Sequence, residues 1–434
     1  MIVVGSGMSG SGFRVSSVKS VISASIGNTL EWFEYTLYAY FASVISQLFF
    51  PLSDPFVSKI LTFATFALGL AARPFGGIVF GYIGDRYSRK NTMTFTMLMM
   101  SIPTTLIGFL PTYEVIGIAA PIMLVALRII QGVALGGEFG SSCVYLYELV
   151  PVKYRGFFGS LSLTGVGCGL ILSSLTILVV ESIFTQQEII SYVWRFPFFI
   201  SVVGSMIALY MRRNLLETID FEDIKSQKQL VANPLLEMFK KHKLTILRLF
   251  AIFLTTQISF FVVFIYGKTM MIDFMKIDSR HASLFTLLTV TSYTIATLIF
   301  GYLADRINKR WIILAGCVGI FCFSWLFIEV LLIDSDMHVI ILCCVMGGFI
   351  GMTEGTLNPL VSESFPVNIR ATSVSFCWNF TAVGFGGVAP IISMWLTQKF
   401  NDAHYVAYFL MTACAISILV LIAEILKKKI SAKS

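Results

Sequence analysis

The chain has 434 residues and a formal charge of +7, and 56% of it is hydrophobic while only 13% is charged. A soluble domain is typically about 45–50% apolar and about 25% charged, so this chain has too little charge to cover a water-facing surface. The composition excludes soluble globular, disordered, collagen-like and coiled-coil proteins. It predicts an integral membrane protein whose partner is the lipid bilayer, and it gives no reason to expect nucleic acid as a partner.

Residues 1–19 are short of apolar length and rich in glycine and serine, which predicts a disordered N-terminus. Twelve apolar runs follow, each near the roughly 20 residues that a membrane-spanning helix needs. We therefore predict an all-α membrane protein with 12 transmembrane helices and both termini on one side. The predicted spans are 21–48, 57–83, 92–110, 117–140, 157–180, 191–212, 246–267, 281–303, 311–333, 338–360, 371–397 and 404–426.

The basic residues are distributed unevenly between the two sides of these spans. If the termini are cytoplasmic, 23 of the 31 Lys and Arg lie inside and 3 lie within spans. Cytoplasmic loops carry an excess of basic residues, so both termini are predicted to be cytoplasmic, in a cell (inner) membrane. The five predicted to lie outside are Lys59, Lys268, Lys276, Arg280 and Lys399.

A long polar stretch, 213–245, separates the spans into two groups of six. It predicts a cytoplasmic linker with one or two amphipathic surface helices. The predicted domains are therefore a six-helix bundle at 20–212, a second at 246–427, and a basic tail at 428–434. All eight cysteines lie in apolar runs without a Cys-x-x-Cys pair, so neither disulfides nor a metal site is expected.

The two halves repeat one another. Phe80–Lys90 reads FGYIGDRYSRK and Phe300–Arg310 reads FGYLADRINKR, while ELVPVKYR at 148–155 matches ESFPVNIR at 363–370. The two repeats have nearly the same offset along the chain, which indicates duplicated, pseudo-symmetric halves. Such halves are a transporter design in which substrate binds between them near the middle of the membrane.

These repeats also predict contacts that gate the cytoplasmic side. Gly81 and Gly301 permit close helix approach, and Asp85 and Asp305 can accept hydrogen bonds from a helix N-terminus or an arginine. We expect two ion pairs, Glu148 with Arg155 and Glu363 with Arg370, and a symmetric latch from Glu138 and Glu354. The predicted gating residues are Gly81, Asp85, Arg86, Arg89, Glu138, Glu148, Arg155, Asp305, Arg306, Glu354, Glu363 and Arg370.

Seven ionisable residues lie within predicted spans. A charge at mid-span costs about 2.5–3.5 kcal/mol. Seven such charges would together exceed the roughly 5–15 kcal/mol by which a typical protein is stable. They must therefore face one another or a wet cavity. The seven are Glu31, Glu34, Arg73, Arg128, Glu138, Arg195 and Glu354.

Among these, Glu31 and Glu34 are spaced i,i+3 and share one helical face with Asn28 and Tyr38. Two carboxylates this close do not both ionise comfortably, so one is expected to carry a proton reversibly. A structural ion pair with Arg73 or Arg128 is the alternative.

Arg73 and Arg195 are candidates to bind a substrate carboxylate, because a guanidinium can hold it bidentately. Structural salt bridges are the alternative for both. Asn28, Tyr38 and Gln257 are further binding candidates, with satisfied polar residues of the helix bundle as the alternative.

The repeated G-x-x-x-D-R motif resembles the signature of the major facilitator superfamily. GNTLEWFEY at 27–35, ARPFGG at 72–77, RIIQGVALGGE at 128–138 and WRFPF at 194–198 resemble its metabolite:H+ symporter family. That family includes proline/betaine, shikimate, 2-oxoglutarate and citrate importers. The resemblance implies a role in proton transfer for Arg128, which joins Glu31 and Glu34 as a candidate proton-coupling residue.

We therefore expect a non-enzymatic, monomeric secondary transporter. It would import a small organic carboxylate, or a zwitterion such as proline or betaine, together with H+ by alternating access, with the proton gradient as energy source and no cofactor. A drug/H+ antiporter is one alternative, although the proline of its fifth-helix signature does not occur in 159–174. A metabolite sensor that does not transport is the other.

Overall fold

The computed structural model describes residues 15–86, 89–212, 234–332 and 336–431, and every regular element within them is helical. Within those ranges the side chains of 15–19, 81–94, 205, 208–209, 211–212, 332, 336 and 428–431 lie outside the description. The predicted all-α class is confirmed for the described chain.

The described part of the first half contains ten helices, joined in two places by short 3-10 segments, Val152–Tyr154 and Val193–Arg195. The helices are α1 (Val15–Tyr40), α2 (Ala42–Phe49), α3 (Pro55–Ala71), α4 (Arg73–Arg86), α5 (Arg89–Phe109), α6 (Tyr113–Ile116), α7 (Ala119–Glu148), α8 (Arg155–Ile183), α9 (Gln186–Ser191) and α10 (Phe196–Arg212).

The described part of the second half contains nine helices, and two of them continue into π-helical segments, Phe261–Tyr266 and Ala382–Gly387. The helices are α11 (Pro234–Lys241), α12 (Lys243–Phe260), α13 (Gly267–Asp273), α14 (Ser279–Leu303), α15 (Lys309–Leu332), α16 (Asp336–Glu363), α17 (Val367–Thr381), α18 (Ala389–Phe400) and α19 (His404–Ser431). Helix α11 falls within the predicted amphipathic linker, whose residues 213–233 lie outside the described chain.

In the described chain, nine helical runs are long and apolar enough to cross a membrane. Two further apolar helices, Phe95–Phe109 and Val193–Gly204, are shorter. The first predicted span, 21–48, is divided at Phe41 into α1 and α2. The nine runs are Pro55–Phe80, Ala119–Glu148, Val152–Ile183, Lys243–Asp273, Ser279–Leu303, Lys309–Leu331, Met337–Glu363, Val367–Phe400 and His404–Lys427.

Helix α7 approaches the junction of α3 and α4 very closely. A Cβ added to Gly132 would collide with the carbonyl oxygen of Gly69, and one added to Gly136 would collide with that of Arg73. Glycines at i,i+4 therefore form a groove for the neighbouring backbone, as small residues do in membrane helix pairs. This contact fixes the backbone of Arg73, the first residue of α4.

The two halves meet along α8 and α14, which also packs against α16 within its own half. Helices α8 and α14 are antiparallel, because Gly156 contacts Asp305 while Glu181 contacts Ser279. We call the corresponding extremities of the bundle the Asp305 end and the Asp273 end. With 29 residues and a rise of about 1.5 Å per residue, α8 separates them by about 40 Å.

Candidate functional site

A small cavity lies between the two halves, and both halves contribute to its wall. Its volume is about 20 Å³, close to the minimum that holds one water molecule. The side chains around it are almost fully buried, so the cavity is closed toward both ends. The lining residues are Trp32, Arg73, Phe139, Leu163, Val166, Gln257, Phe260, Phe261, Glu354, Trp378 and Ala382.

Two interruptions of regular α-helix border this cavity in the second half. Phe261 begins the π segment after α12, and Ala382 begins the one after α17. A π turn widens the helix locally and is frequent at functional sites. Of the predicted binding residues, Arg73 and Gln257 lie at this cavity.

Arg73 projects from the first half and is held by the second. Its Nε donates to Oδ1 of Asn379 at 3.1 Å, and Nδ2 of Asn379 donates to the Gly136 carbonyl at 3.0 Å. The guanidinium carbon lies 5.7 Å from the ring centroid of Phe139. Arg73 thus lies at the interface between the two halves, where motion of one half relative to the other would alter its contacts.

Three of the seven intramembrane charges converge near Cys143 on α7. Glu31 interacts electrostatically with Arg73. The Cys143 thiol in turn interacts electrostatically with Glu31, Arg73 and Glu354. The sequence predicts Glu354 and Glu138 as symmetry-related parts of an inner latch. The structure instead places Glu354 at the cavity, while Glu138 accepts a hydrogen bond from Thr96 at 3.2 Å within the first half.

Glu34 lies one turn after Glu31 but has different neighbours. Its oxygens accept from the Ser101 and Thr104 hydroxyls on α5, each at 3.1 Å. Thr104 in turn accepts from Nε2 of Gln131 at 2.6 Å, and Oε1 of Gln131 accepts from Nη1 of Arg128 at 2.9 Å. A buried chain of hydrogen bonds therefore joins Arg128 to Glu34, and the sequence analysis did not identify Gln131 or Thr104 as its links.

Arg128 is enclosed by aromatic rings from α1 and α3. Its guanidinium carbon lies 4.3 Å from the ring centroids of both Tyr35 and Tyr38 and 5.4 Å from that of Phe66. Its Nε and Nη2 have no hydrogen-bond partner among the described residues. Cation–π contact of this kind is worth about 2 kcal/mol when desolvated and offsets part of the cost of burying the charge.

Three predicted binding residues lie elsewhere. Asn28 joins α1 to α7 and α8, since its Oδ1 accepts from Ser142 and its Nδ2 donates to the Ser162 carbonyl. Tyr38 donates to the Thr62 carbonyl at 3.0 Å. Arg195 donates to the Gly108 and Leu110 carbonyls at 2.8 and 2.7 Å, so it caps the end of α5 rather than lining the cavity.

At the Asp305 end, contacts join the two halves. Asp305 accepts from the backbone N–H groups of Gly156 and Phe157 at 2.6 and 3.0 Å, which confirms the predicted interaction with a helix N-terminus. Gly301 packs against the Ser160 side chain, as expected for a close-approach glycine. The side chains of the corresponding first-half residues Gly81, Asp85, Arg86 and Arg89 lie outside the described residues.

The ion pairs at this end differ from the predicted pairs. Arg370 crosses to the first half and donates to Glu148 at 2.9 Å, whereas Glu363 pairs with Lys309 at 2.8 Å. The predicted pair of Glu363 with Arg370 is therefore wrong, because the nearest acid to Arg370 comes from α7 of the other half.

Two other predicted gating residues at the Asp305 end have described contacts with residues close to them in sequence. Arg155 donates to the Val150 carbonyl, and its guanidinium carbon lies 5.0 Å from the Tyr147 ring centroid. Arg306 is exposed and contacts the Tyr302 hydroxyl. The contacts described for these two arginines therefore do not join the halves.

The Asp273 end has its own contacts between the halves, which the sequence analysis did not predict. Lys268 was expected in an outer loop. It is instead buried on α13, where it donates to Glu181 of α8 at 2.8 Å. Glu181 also accepts from Ser279 and Ser283, and Lys59 of α3 pairs with Asp273 at 2.5 Å. The sequence analysis missed this pair because Lys268 immediately follows the apolar run 246–267 and was therefore assigned to an outer loop.

Across the described residues, no group of three His, Cys, Asp or Glu side chains is arranged to hold a metal ion. A cavity between two helical halves, with closing contacts at both ends, defines a polytopic membrane protein of the transporter class. The sequence profile described as "Major Facilitator Superfamily" matches residues 24–386. The chain belongs to this superfamily.

Named relatives extend over nearly the whole chain. A Staphylococcus aureus (strain MSSA476) protein to which proline/betaine transport is ascribed is 32% identical over 405 residues, covering 93% of this chain and 87% of the relative. The glycine betaine/proline/ectoine/pipecolic acid transporter OusA of Dickeya dadantii is 29% identical over 419 residues, covering 92% and 82%.

A solved structure has the same fold. The proton:xylose symporter XylE, from E. coli, bound to 6-bromo-6-deoxy-D-glucose superposes with a TM-score of 0.76 at 16% identity, covering 94% of both chains. Identity this low shows the shared fold alone. Together with the profile match, this shared fold confirms the predicted superfamily membership.

Proposed function

We propose that this protein is a proton-coupled symporter that imports a small zwitterion or organic carboxylate of the proline/betaine type by alternating access. The observation that carries the proposal is the interhalf cavity lined by Arg73. A separate buried network joins Glu34 to Arg128 and supports proton coupling. The names of its relatives support the substrate class.

The topology that goes with this proposal has 12 spans, with domains at 20–212 and 246–427. The 23 basic residues predicted on the side of the termini support placing the termini, and therefore the Asp305 end, in the cytoplasm of a cell with an inner membrane. The Asp273 end would then be the outer one. We also propose that the protein acts as a monomer and needs no cofactor.

Glu34 is the proposed proton carrier. Ionised Glu34 accepts from both the Ser101 and Thr104 hydroxyls. Thr104 has one hydrogen, and the Met100 carbonyl lies 2.8 Å from the same hydroxyl oxygen. Protonation of Glu34 would release that hydrogen toward Met100, and the change would reach Arg128 through Gln131. Glu31 interacts electrostatically with Arg73. It is therefore the proposed residue that couples protonation to substrate binding.

The closing contacts support alternation. At the Asp305 end, Asp305 and Arg370 bind the opposite half; at the Asp273 end, Lys59 and Lys268 do so. Because substrate cannot fit a cavity that holds one water, one set of contacts must release before binding. The remaining set would keep the other end closed.

The test is uptake of radiolabelled proline, glycine betaine, citrate and 2-oxoglutarate by proteoliposomes, with and without an inwardly directed proton gradient. We expect accumulation of proline or betaine above the external concentration only with the gradient, accompanied by alkalinisation outside. Equal uptake with a collapsed gradient would contradict proton coupling. Efflux of cationic drugs instead would favour the antiporter, and binding without any flux would favour the sensor.

A further inference from the structure

Glu354 of α16 is a buried acid that the coupling network does not include. Its side chain lines the cavity, the residue is 2% exposed, and its Oε2 has no hydrogen-bond partner among the described residues. A buried carboxyl oxygen without a partner is costly, because its hydration is lost and not replaced. Such an atom at a cavity wall is suited to receive a group that arrives with the ligand.

The wall beside Glu354 is aromatic. Trp32 lies 5.4 Å from Phe260 and 6.1 Å from Phe139, and Phe139 lies 5.2 Å from Trp378, measured between ring centroids. The indole Nε1 atoms of Trp32 and Trp378 have no hydrogen-bond partner among the described residues. Aromatic faces attract cations, and cages of such rings recognise quaternary ammonium groups.

Arg73 and Glu354 are the ionisable residues that line the cavity, and Glu31 already interacts electrostatically with Arg73. A ligand with only a carboxylate would use Arg73 and leave the Oε2 of Glu354 without a hydrogen-bond partner in the described part of the chain. A ligand with an ammonium group as well would meet Glu354 and the aromatic wall, and its carboxylate would meet Arg73.

We propose that Glu354, Trp32 and Trp378 form a subsite for the ammonium group of a zwitterionic substrate whose carboxylate binds Arg73. The inference deepens the proposed transport function and rests on it for the identification of the cavity as the substrate site. It selects the zwitterion over the plain organic acid, and it reassigns Glu354 from gating to substrate specificity.

Two probes of matched shape test the subsite. Glycine betaine and 3,3-dimethylbutanoate differ only in that the first has a cationic nitrogen where the second has a neutral carbon. Binding to purified protein is measured by calorimetry, without a membrane gradient. We expect at least a tenfold preference for betaine in the wild type, a preference of less than twofold in Glu354→Gln, and the wild-type preference in Glu114→Gln, an exposed control.

Trp378 supplies a second, independent variant. Trp378→Phe keeps an aromatic face and should retain most of the betaine preference, while Trp378→Leu should lose it without weakening 3,3-dimethylbutanoate by a comparable factor. The proposal is overturned if wild-type protein binds the two probes equally or binds neither. It is also overturned if Glu354→Gln keeps the full preference and loses only gradient-dependent accumulation, since Glu354 would then carry protons. Discrimination in binding without gradient-driven uptake would instead refute the symport and support the subsite.

Discussion

Glu34 and Glu31 lie one helical turn apart, yet their surroundings differ. Glu34 faces two hydroxyl donors and, through Thr104 and Gln131, the arginine at 128. Glu31 acts on Arg73 at the cavity. The proposed proton carrier and the carboxylate that interacts with Arg73 are thus separated by only about 4.5 Å along α1.

Replacing Glu34 tests the proton carrier. Gln keeps the size and can still accept from Ser101, but it binds no proton in the physiological range. Glu34→Gln should therefore abolish gradient-driven accumulation in proteoliposomes while substrate exchange between two equal pools persists. The exposed Glu114→Gln is the matched control. Accumulation that still follows the imposed gradient in Glu34→Gln would refute the role.

Arg73 and Arg195 offer a matched comparison of two arginines. Lys lacks the planar fork, and a charge-assisted hydrogen bond contributes about 1.5–3 kcal/mol. Arg73→Lys should weaken substrate binding about tenfold or more, whereas Arg195→Lys should leave it within about twofold, because Arg195 caps α5. Titration calorimetry measures both. A larger loss in Arg195→Lys would reverse this assignment and restore the interpretation made from sequence.

At the scale of elements, interruptions in helices produce the site. Helix α3 ends at Ala71, α4 begins at Arg73, and π segments follow α12 and α17. These irregular segments bring Arg73, Phe261 and Ala382 to the cavity wall. The glycine groove of α7, formed by Gly132 and Gly136, packs against the backbone at the junction of α3 and α4 and so positions Arg73.

Gly136→Ala tests that support. Its new methyl would collide with the Arg73 backbone, and overpacking of this type costs typically about 1–3 kcal/mol. We expect a lower midpoint of thermal unfolding in detergent and weaker substrate binding. Gly384→Ala is the control, because nothing lies within 4 Å of its added Cβ. Equal midpoints for the two variants would show that the groove yields to a methyl group.

At the scale of the whole molecule, contacts between the halves close two ends that lie about 40 Å apart. The two ends differ in chemistry. A helix N-terminus capped by Asp305 and one buried ion pair, Arg370 with Glu148, close the first. Lysine–acid pairs, Lys268 with Glu181 and Lys59 with Asp273, close the second. Each set can therefore be weakened without touching the other.

Glu181→Gln should open the Asp273 end selectively. It leaves Lys268 buried without its counter-charge, a change that costs about 3–5 kcal/mol in comparable cases. In protein whose other cysteines are replaced by alanine, Cys143 should then react several-fold faster with a membrane-impermeant maleimide added outside. Glu188→Gln at the same end is the control, because Glu188 is only half-buried and its hydrogen bonds are to Thr185 within the same half. An unchanged labelling rate would contradict a gating role for this pair.

The sequence by itself determined the membrane class and predicts the two repeated halves, the topology and which charges had to be accommodated within the bilayer. Composition, apolar run length and repeated motifs report these properties, because each depends on transfer from water to lipid or on local spacing. The contact of Asp305 with a helix N-terminus followed from the same local reasoning and is confirmed.

Only the tertiary structure decided which charges meet. Glu354 lies at the cavity, Arg195 caps α5, Arg370 pairs across the halves, and Lys268 is buried. These outcomes depend on the angle and register at which separate helices pack, which residue spacing within one helix does not encode. The scarce charge of this chain identifies its class, and the packing of its two halves determines how that charge can be used.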